Sequence, residues 1–192
     1  MNFGVYAPNS GRVVNAQLKV LIADITLTNP GSFESIPIPA GFDHLEIYTA
    51  LRSTVSAVAD GVYILFNGDA TAANYRYQYI EGAGASSASG QGDTPIFIGA
   101  TGATSTANDF SQAVGYINYI TDPGKRRNGT AIGGQRRDAT NSRTGSYFFN
   151  WESTEPIRSI TIRTDNHATD LFAAGSRVQV FGLGTFAVAL AR

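Results

Sequence analysis

Catalysis in this chain would depend on its serines, its acidic residues or its two histidines, His44 and His167. A serine nucleophile at a strand-to-helix elbow needs the pattern Gly-x-Ser-x-Gly, which no serine of the sequence has. Glycine patterns that bind nucleotide phosphates are also missing. The histidines lack metal-ligand spacing, and a chain without cysteine builds no thiolate zinc site. We therefore expect no catalytic residue, cofactor or metal, and predict that the protein is not an enzyme.

Paired carboxylates are the one catalytic arrangement that sequence spacing does not exclude, because acids on distant strands can act together on a glycosidic bond. The candidates by residue type are Asp24, Glu46, Asp60 and Asp69. With 15 acidic residues some pair is always available, so this signal carries little weight. Asn67, Asp69 and Asn74 offer oxygen ligands for calcium, but their spacing fits no calcium loop and a tight turn explains them equally well.

Positive charge is concentrated between residues 121 and 144, which hold six of the 14 basic residues. These are Lys125, Arg126, Arg127, Arg136, Arg137 and Arg143. A solvated loop is the ordinary interpretation of such a cluster, and a contact with another protein or another subunit is the second. Nucleic acid is the least favoured partner, because no aromatic side chains alternate with these arginines and the net charge is −1.

Residues 1–17 are polar and rich in turn formers, with Pro-Asn-Ser-Gly at residues 8–11. Such a segment is either a frayed terminus or an arm that becomes ordered against a neighbour. The candidate contact residues of this arm are Phe3, Tyr6 and Arg12. We predict an N-terminal arm over residues 1–17 and one β-sandwich domain over residues 18–192.

Alternation of apolar and polar residues dominates the rest of the chain, as β-strands require. Leu45, Ile47 and Thr49, for example, share one face of a strand. Residues 33–38 contain a proline and are followed by another, so they belong at a sheet edge or in a loop. Roughly nine to eleven short strands without a confident helix predict an all-β fold, an antiparallel two-sheet sandwich of jelly-roll type. A meander barrel is the alternative.

The clearest local signals lie in residues 44–79, which we interpret as three strands closed by two tight turns. Asn67-Gly68 is the strongest hairpin signal, because both residues accept the left-handed conformation of a type I′ turn. The residues that then line one face of a strand are Tyr75, Tyr77 and Tyr79. These tyrosines either pack in the core or lie in an interface between subunits. In a sugar-binding module, they would stack on sugar rings. Residues 82–92, GAGASSASGQG, are predicted to form a flexible loop.

The overall composition favours a protein that packs against other subunits. Charged residues make up 15% of the chain, against about 25% in ordinary soluble domains. No apolar run approaches the roughly 20 residues of a membrane helix, and the N-terminus lacks the features of a secretory leader. We therefore expect a protein that neither spans a membrane nor is exported.

Residues 36–79, IPIPAGFDHLEIYTALRSTVSAVADGVYILFNGDATAANYRYQY, resemble a pattern in small virion proteins of tailed bacteriophages. The pattern begins with a segment bounded by prolines, followed by a strand with the sequence His-Leu-x-Ile and a linker that contains an arginine. A second strand ends in Phe-Asn-Gly-Asp, and the next strand begins at Asn-Tyr. AGSRVQVFG, at residues 174–182, resembles the last strand of the same group. With the isoleucine-rich strand that follows Ile157, the resemblance spans residues 33–184.

This resemblance implies a jelly-roll-like structural part of the virion without catalytic residues. We therefore expect a capsid decoration or cement protein that forms homotrimers and binds the major capsid protein through its arm and its basic segment. It would be found in the virion, assembled in the cytoplasm of the bacterial host. The alternatives are a head-fibre or tail appendage, and a carbohydrate-binding module in which the three tyrosines stack on sugars. A glycan depolymerase is the most distant alternative.

Overall fold

The computed structural model of the chain describes residues 13–136 and 142–189. This part contains twelve strands, one 3₁₀ turn at Ala72–Asn74 and no α-helix. The strands are β1 (Val13–Thr26), β2 (Phe33–Pro37), β3 (His44–Leu51), β4 (Ala59–Phe66), β5 (Tyr75–Ala83), β6 (Ser86–Gly92), β7 (Ile96–Thr101), β8 (Ser111–Asn118), β9 (Arg127–Arg136), β10 (Ser142–Trp151), β11 (Ser159–Thr164) and β12 (Arg177–Ala189). Within the described ranges, no helix is long and apolar enough to cross a membrane.

The strands form two antiparallel sheets. The larger has eight strands in the order β1-β12-β3-β8-β9-β10-β5-β6, and the smaller has four in the order β2-β11-β4-β7. The predicted all-β, two-sheet sandwich is therefore confirmed. β2, with its proline, lies at the edge of the smaller sheet as predicted, because proline has no N–H to donate to a second neighbour.

Strand order identifies a jelly roll with two insertions. Without β5, β6, β9 and β10, the chain gives two four-stranded sheets, β1-β12-β3-β8 and β2-β11-β4-β7. Eight strands folded in this way are the arrangement of a jelly roll. The two inserted strand pairs continue one sheet beyond β8, so the larger sheet extends past β7, the last strand of the smaller one.

Alternating apolar side chains from both sheets fill the space between them. Leu45 and Ile47 of β3 are fully buried and Thr49 nearly so, which confirms the face predicted for this strand. The ring of Phe66 lies at the end of β4 and packs on Tyr75, Phe149 and Trp151, with ring centroids 6.2, 6.4 and 5.5 Å away. Each fully buried side chain of this kind stabilises the fold by about 1.5–3 kcal/mol.

The turn at Asn67-Gly68 is confirmed, but the hairpin predicted around it is wrong. Both residues have positive φ, 52° and 73°, and the Asp69 amide donates to the Phe66 carbonyl at 2.9 Å. However, β4 belongs to the smaller sheet and β5 to the larger one. Asp69 redirects the chain, since its carboxylate accepts hydrogen bonds from Asn74 and from Trp151 of β10. Residues 44–79 thus cross twice between the sheets.

The prediction of a flexible loop at residues 82–92 is also wrong. β5 continues to Ala83, and β6 returns from Ser86 to Gly92 as the edge of the larger sheet. A Cβ atom at Gly90 or Gly92 would lie 2.7 Å from the ring of Tyr79 or Tyr77, respectively. The tyrosine rings cover the glycines of the neighbouring strand, so this strand gains apolar contact that its own sequence lacks.

The first and last strands do not have the bounds that the sequence indicated. β1 begins at Val13 and pairs with β12, so the last five residues of the predicted arm lie in a strand. Residues 1–12, and with them Phe3, Tyr6 and Arg12, lie outside the described residues. The last strand, β12, runs without a break to Ala189 between β1 and β3, so the tail up to that residue adds no separate edge strand.

Candidate assembly surface on the eight-stranded sheet

Arg127, predicted as a contact residue in the basic segment, is completely buried. Its guanidinium donates to the main-chain carbonyls of Asp122 and Lys125, both at 2.5 Å, and of Thr154 and Glu155, at 2.7 and 3.1 Å. The side chain therefore fastens the loop before β9 to the loop after β10. The prediction that Arg127 contacts a partner is wrong, because none of these donors is available at the surface.

Three of the remaining basic residues, Lys125, Arg126 and Arg143, are paired with acidic residues. Arg126 pairs with Glu152, and Arg143 pairs with Glu81. Lys125 lies 3.2 Å from Asp122 and 4.1 Å from the ring centre of Tyr119. The segment is a hairpin of β9 and β10 and not a loop, with Arg136 at the end of β9. Arg137 lies outside the described residues.

The predicted row of tyrosines faces the inside of the sandwich. Tyr75 is 1% exposed, and its hydroxyl donates to the Asp69 carbonyl and accepts from the Phe66 amide. It therefore offers no ring face for a sugar, which corrects that assignment. The half-buried rings of Tyr77 and Tyr79 stack on each other at 6.1 Å, with planes 11° apart. Their faces are turned toward each other, and a sugar could reach mainly their edges.

Three of the four acidic residues considered for catalysis have separate partners. Asp24 binds Arg177 through both oxygens, and Glu46 pairs with Lys19 at 2.7 Å. Partial burial acts to raise the pKa of Asp69, but hydrogen bonds from Trp151, Asn74 and Thr71 outweigh it and lower the pKa. The fourth, Asp60, lies at the start of β4. Asp24, Glu46 and Asp69 are therefore structural carboxylates, whereas the Oδ2 atom of Asp60 is buried and has no hydrogen-bond partner among the described residues.

The histidines and the proposed calcium ligands also have structural partners. The Nδ1 atom of His44 accepts from the Tyr119 amide at 3.3 Å, and Nε2 of His167 lies 3.0 Å from Arg163. The Asn67 side chain accepts from the amides of Arg158 and Ser159, at the start of β11, and donates to the Pro156 carbonyl. Among the described residues, no group of three or more metal-ligating side chains is close enough to hold a metal ion.

The outer face of the eight-stranded sheet exposes large apolar side chains that the sequence analysis did not identify. They are Tyr48 (38% exposed), Ile80 (67%), Tyr116 (41%), Ile132 (59%) and Phe148 (46%), and we call them the apolar belt. One row crosses five strands as Tyr48, Val114, Ile132, Ser146 and Ile80, each directly opposite the next. At the spacing of neighbouring strands, this row is about 19 Å long. Tyr116, Thr130 and Phe148 form a parallel row beside it.

Charged side chains are missing from the central part of this face. In the central part of this face, the outward positions of β8, β9 and β10 are Gln112, Val114, Tyr116, Asn128, Thr130, Ile132, Gly134, Thr144, Ser146, Phe148 and Asn150. None of them is charged. Beyond the belt, ion pairs flank this face, among them Lys19 with Glu46 on one side and Arg76 with Asp93, 3.4 Å apart, on the other. A face of this kind produces no electrostatic field that would attract a strongly charged partner.

The polar end of the belt is rigidly organised around Glu46, which is only 6% exposed although it lies on the outer face. Its carboxylate accepts hydrogen bonds from the hydroxyls of Tyr48 and Tyr116, and the Lys19 ammonium lies 4.4 Å from the ring centre of Phe181. Partial burial acts to raise the pKa of Glu46, but the hydrogen bonds from Lys19 and Tyr48 outweigh it and lower the pKa. Two belt tyrosines are thereby fixed in position, so little side-chain entropy remains to be lost on contact.

Two shallow hollows flank the belt. One, of about 440 Å³, lies beside Tyr48 and Ile132, and the other, of about 550 Å³, lies beside Phe148. The surface is therefore contoured, with apolar ridges next to depressions, and a matching surface can interlock with it.

The strand order places the protein in the class of jelly-roll β-sandwiches. Comparison of the chain with protein-family models, curated proteins and solved structures finds no significant match.

Proposed function

We propose that this protein is a non-enzymatic structural subunit that assembles with copies of itself through the apolar belt. The observation that carries the proposal is the exposed, uncharged face of the eight-stranded sheet. Its occupant is a second copy of the same chain, because the belt has no net charge to select an oppositely charged partner.

The expected setting is the virion of a tailed bacteriophage, where the subunit would form trimers that decorate or cement the capsid. The support is the resemblance of residues 33–184 to small virion proteins together with the jelly-roll order of eight strands. Stabilisation of the shell would follow from the area buried when the subunit binds across neighbouring capsomers. A head-fibre or tail appendage would use the same fold and the same belt.

Contact with the major capsid protein would involve fewer of the basic residues than the sequence indicated. Because Arg127 is buried, the proposal assigns this contact to the arm and to residues 136–137. The residues concerned are Phe3, Tyr6, Arg12, Arg136 and Arg137.

Ile132→Glu is expected to disrupt self-association. The new carboxylate would lie at the centre of the belt, where assembly would remove it from water without a cationic partner. We expect the dissociation constant of the assembly to increase by about tenfold or more. Sedimentation velocity over a range of concentrations would measure this change, and circular dichroism would verify that the variant folds.

Ala168→Glu is the matched control, because it adds the same charge at an exposed position in the loop after β11. This variant should assemble like the unmodified protein. A protein that is monomeric at every concentration tested, or equal assembly by both variants, would exclude the belt as the interface. Rebinding of the purified protein to phage shells stripped of it would test the proposed setting separately.

A further inference from the structure

A second feature of the molecule is a cleft at the place where the larger sheet extends past the smaller one. Its volume is about 340 Å³, within the range of small-molecule sites. Both sheets contribute to its walls. The side chains that line it include those of Asp60, Tyr77, Tyr79, Glu81, Arg143 and Tyr147. Since β5 and β10 belong to the insertions, the cleft is a product of the added strands and not of the jelly roll itself.

Gln135 lies behind this cleft with an unpaired amide. The residue is 6% exposed, and neither Oε1 nor Nε2 has a hydrogen-bond partner among the described residues. It borders a void of about 10 Å³ that shares Gly99, Arg143 and Tyr147 with the cleft. Buried polar groups are almost always paired, so an amide with neither a donor nor an acceptor partner calls for an external one.

Glycines keep the space in front of this amide open. Gly99 lines both the cleft and the void, and a Cβ atom on it would lie 3.5 Å from Oε1 and 3.7 Å from Nε2 of Gln135, in contact with both polar atoms. A Cβ atom on Gly145 would lie 2.9 Å from the Glu81 side chain. The absence of these two side chains gives a small polar ligand access to Gln135.

The cleft is lined by three carboxylates, Asp60, Glu81 and Asp165, and by one cation, Arg143. Glu81 is held by Arg143 and by the Tyr147 hydroxyl, so the only arginine named in the cleft has a partner. Across the cleft, the Oδ2 atom of Asp60 is buried and has no partner among the described residues. The site therefore lacks a free cation to bind an anion, and an apolar ligand would leave the Gln135 amide unpaired.

We propose that this cleft binds a neutral polyhydroxylated ligand, such as one monosaccharide unit, with the Gln135 amide as both donor and acceptor. Two adjacent hydroxyl groups of a sugar can pair with one planar amide. One hydroxyl donates to the amide oxygen, and the other accepts from the amide nitrogen. The unpaired oxygen of Asp60 accepts a further hydroxyl, and the edges of Tyr77 and Tyr79 form the apolar wall. This proposal does not depend on self-association.

Gln135→Met separates a ligand-binding role from a structural one. Methionine has a similar length but no polar atoms, so it removes the unpaired amide without leaving a void. We expect this variant to melt about 2–4 °C higher than the unmodified protein in the absence of sugar. We also expect it to lose binding of D-glucose, D-galactose and N-acetyl-D-glucosamine, measured separately by saturation-transfer difference NMR. A lower melting temperature would mean that the amide is paired within the protein and would overturn the proposal.

Gly99→Ala tests access to the amide, and Gly82→Ala is its matched control. Neither glycine has a positive φ, and a Cβ atom on Gly82 would meet nothing within 4 Å. We expect Gly99→Ala to weaken sugar binding by about tenfold or more, while Gly82→Ala binds normally. The experiments are repeated on the Ile132→Glu background, so that loss of assembly and loss of binding are distinguished. Failure of all three sugars to bind the unmodified protein, or equal binding by both alanine variants, would refute the site.

Discussion

Arg127→Met is expected to lower the free energy of unfolding by about 3–5 kcal/mol. The guanidinium is fully buried and donates to the carbonyls of Asp122, Lys125, Thr154 and Glu155. Methionine fills a similar space but has no donors, so these carbonyls would lose their partners. An unpaired buried carbonyl costs about 1–3 kcal/mol, and water would recover part of this because Lys125, Thr154 and Glu155 are exposed residues. Urea denaturation at neutral pH would measure the loss.

Arg126→Met is the matched control, because it removes the same charge from the adjacent residue. The Arg126 side chain is 65% exposed and pairs with Glu152 at the surface. An exposed pair of this kind contributes about 0–1 kcal/mol, so the variant should unfold close to the unmodified protein. Arg127→Lys should lie between the two, since an ammonium keeps the charge but does not reproduce the planar set of donors. Similar losses in both methionine variants would contradict the role assigned to Arg127.

The contrast between these two adjacent arginines shows why the basic segment was misinterpreted. In the sequence they are equivalent members of one charge cluster. Their difference arises from the loop after β10, whose Thr154 and Glu155 carbonyls close around Arg127. Arg52 plays a similar part near β3, where it donates to four carbonyls between residues 103 and 109. Two arginines of this protein therefore order loops, a role that charge patterns do not reveal.

Local patterns predicted local structure well and sheet membership poorly. Alternation identified the buried face of β3, and the tolerance of Asn67 and Gly68 for positive φ identified the turn. The sheet that β4 joins is decided by its pairing with β11, in which Phe66 lies opposite Ile160. That pairing joins residues far apart in the sequence, so the short turn that follows β4 contains no information about it.

The strand β6 illustrates a related limit. Its sequence, SSASGQG, has almost no strand propensity. It becomes a strand because β5 offers a hydrogen-bonding edge and because Tyr77 and Tyr79 cover its glycines. The tyrosine row and the glycine-rich segment were each recognised in the sequence, but their interaction was not.

The apolar belt could have been found once the register of two strands was known. If Tyr75, Tyr77 and Tyr79 point inward, then Ile80 must point outward. In β10, the apolar run of Tyr147, Phe148 and Phe149 leaves its middle residue on the opposite face. An isoleucine and a phenylalanine at outward positions were the available signal. The row they form with Ile132 needed the strand order, which the sequence does not specify.

Asp60→Asn is expected to stabilise the protein by about 1–3 kcal/mol near pH 8, the range allowing for partial exposure of the side chain. Burial, together with the negative charges of Asp165 and Asp170, raises the pKa of Asp60 from 3.8 to about 6, against a weaker opposing hydrogen bond from Ser53. At a pH between these two pKa values, Asp60 is protonated in the folded protein but has lost its proton in the unfolded chain. The stability contributed by this group is therefore complete below 3.8, falls as pH rises toward about 6 and stays lost above it.

Asparagine has no charge to bury, so the difference between the two proteins should be close to zero near pH 3.5 and grow toward neutral pH. Urea denaturation at a series of pH values, without added sugar, would measure this difference. Asp165→Asn is the companion variant, since removing a neighbouring negative charge should shift the whole transition of Asp60 to lower pH. If Asp60→Asn were less stable than the unmodified protein near pH 8, the carboxylate would have a favourable partner. The unpaired Oδ2 atom in the cleft would then need another explanation.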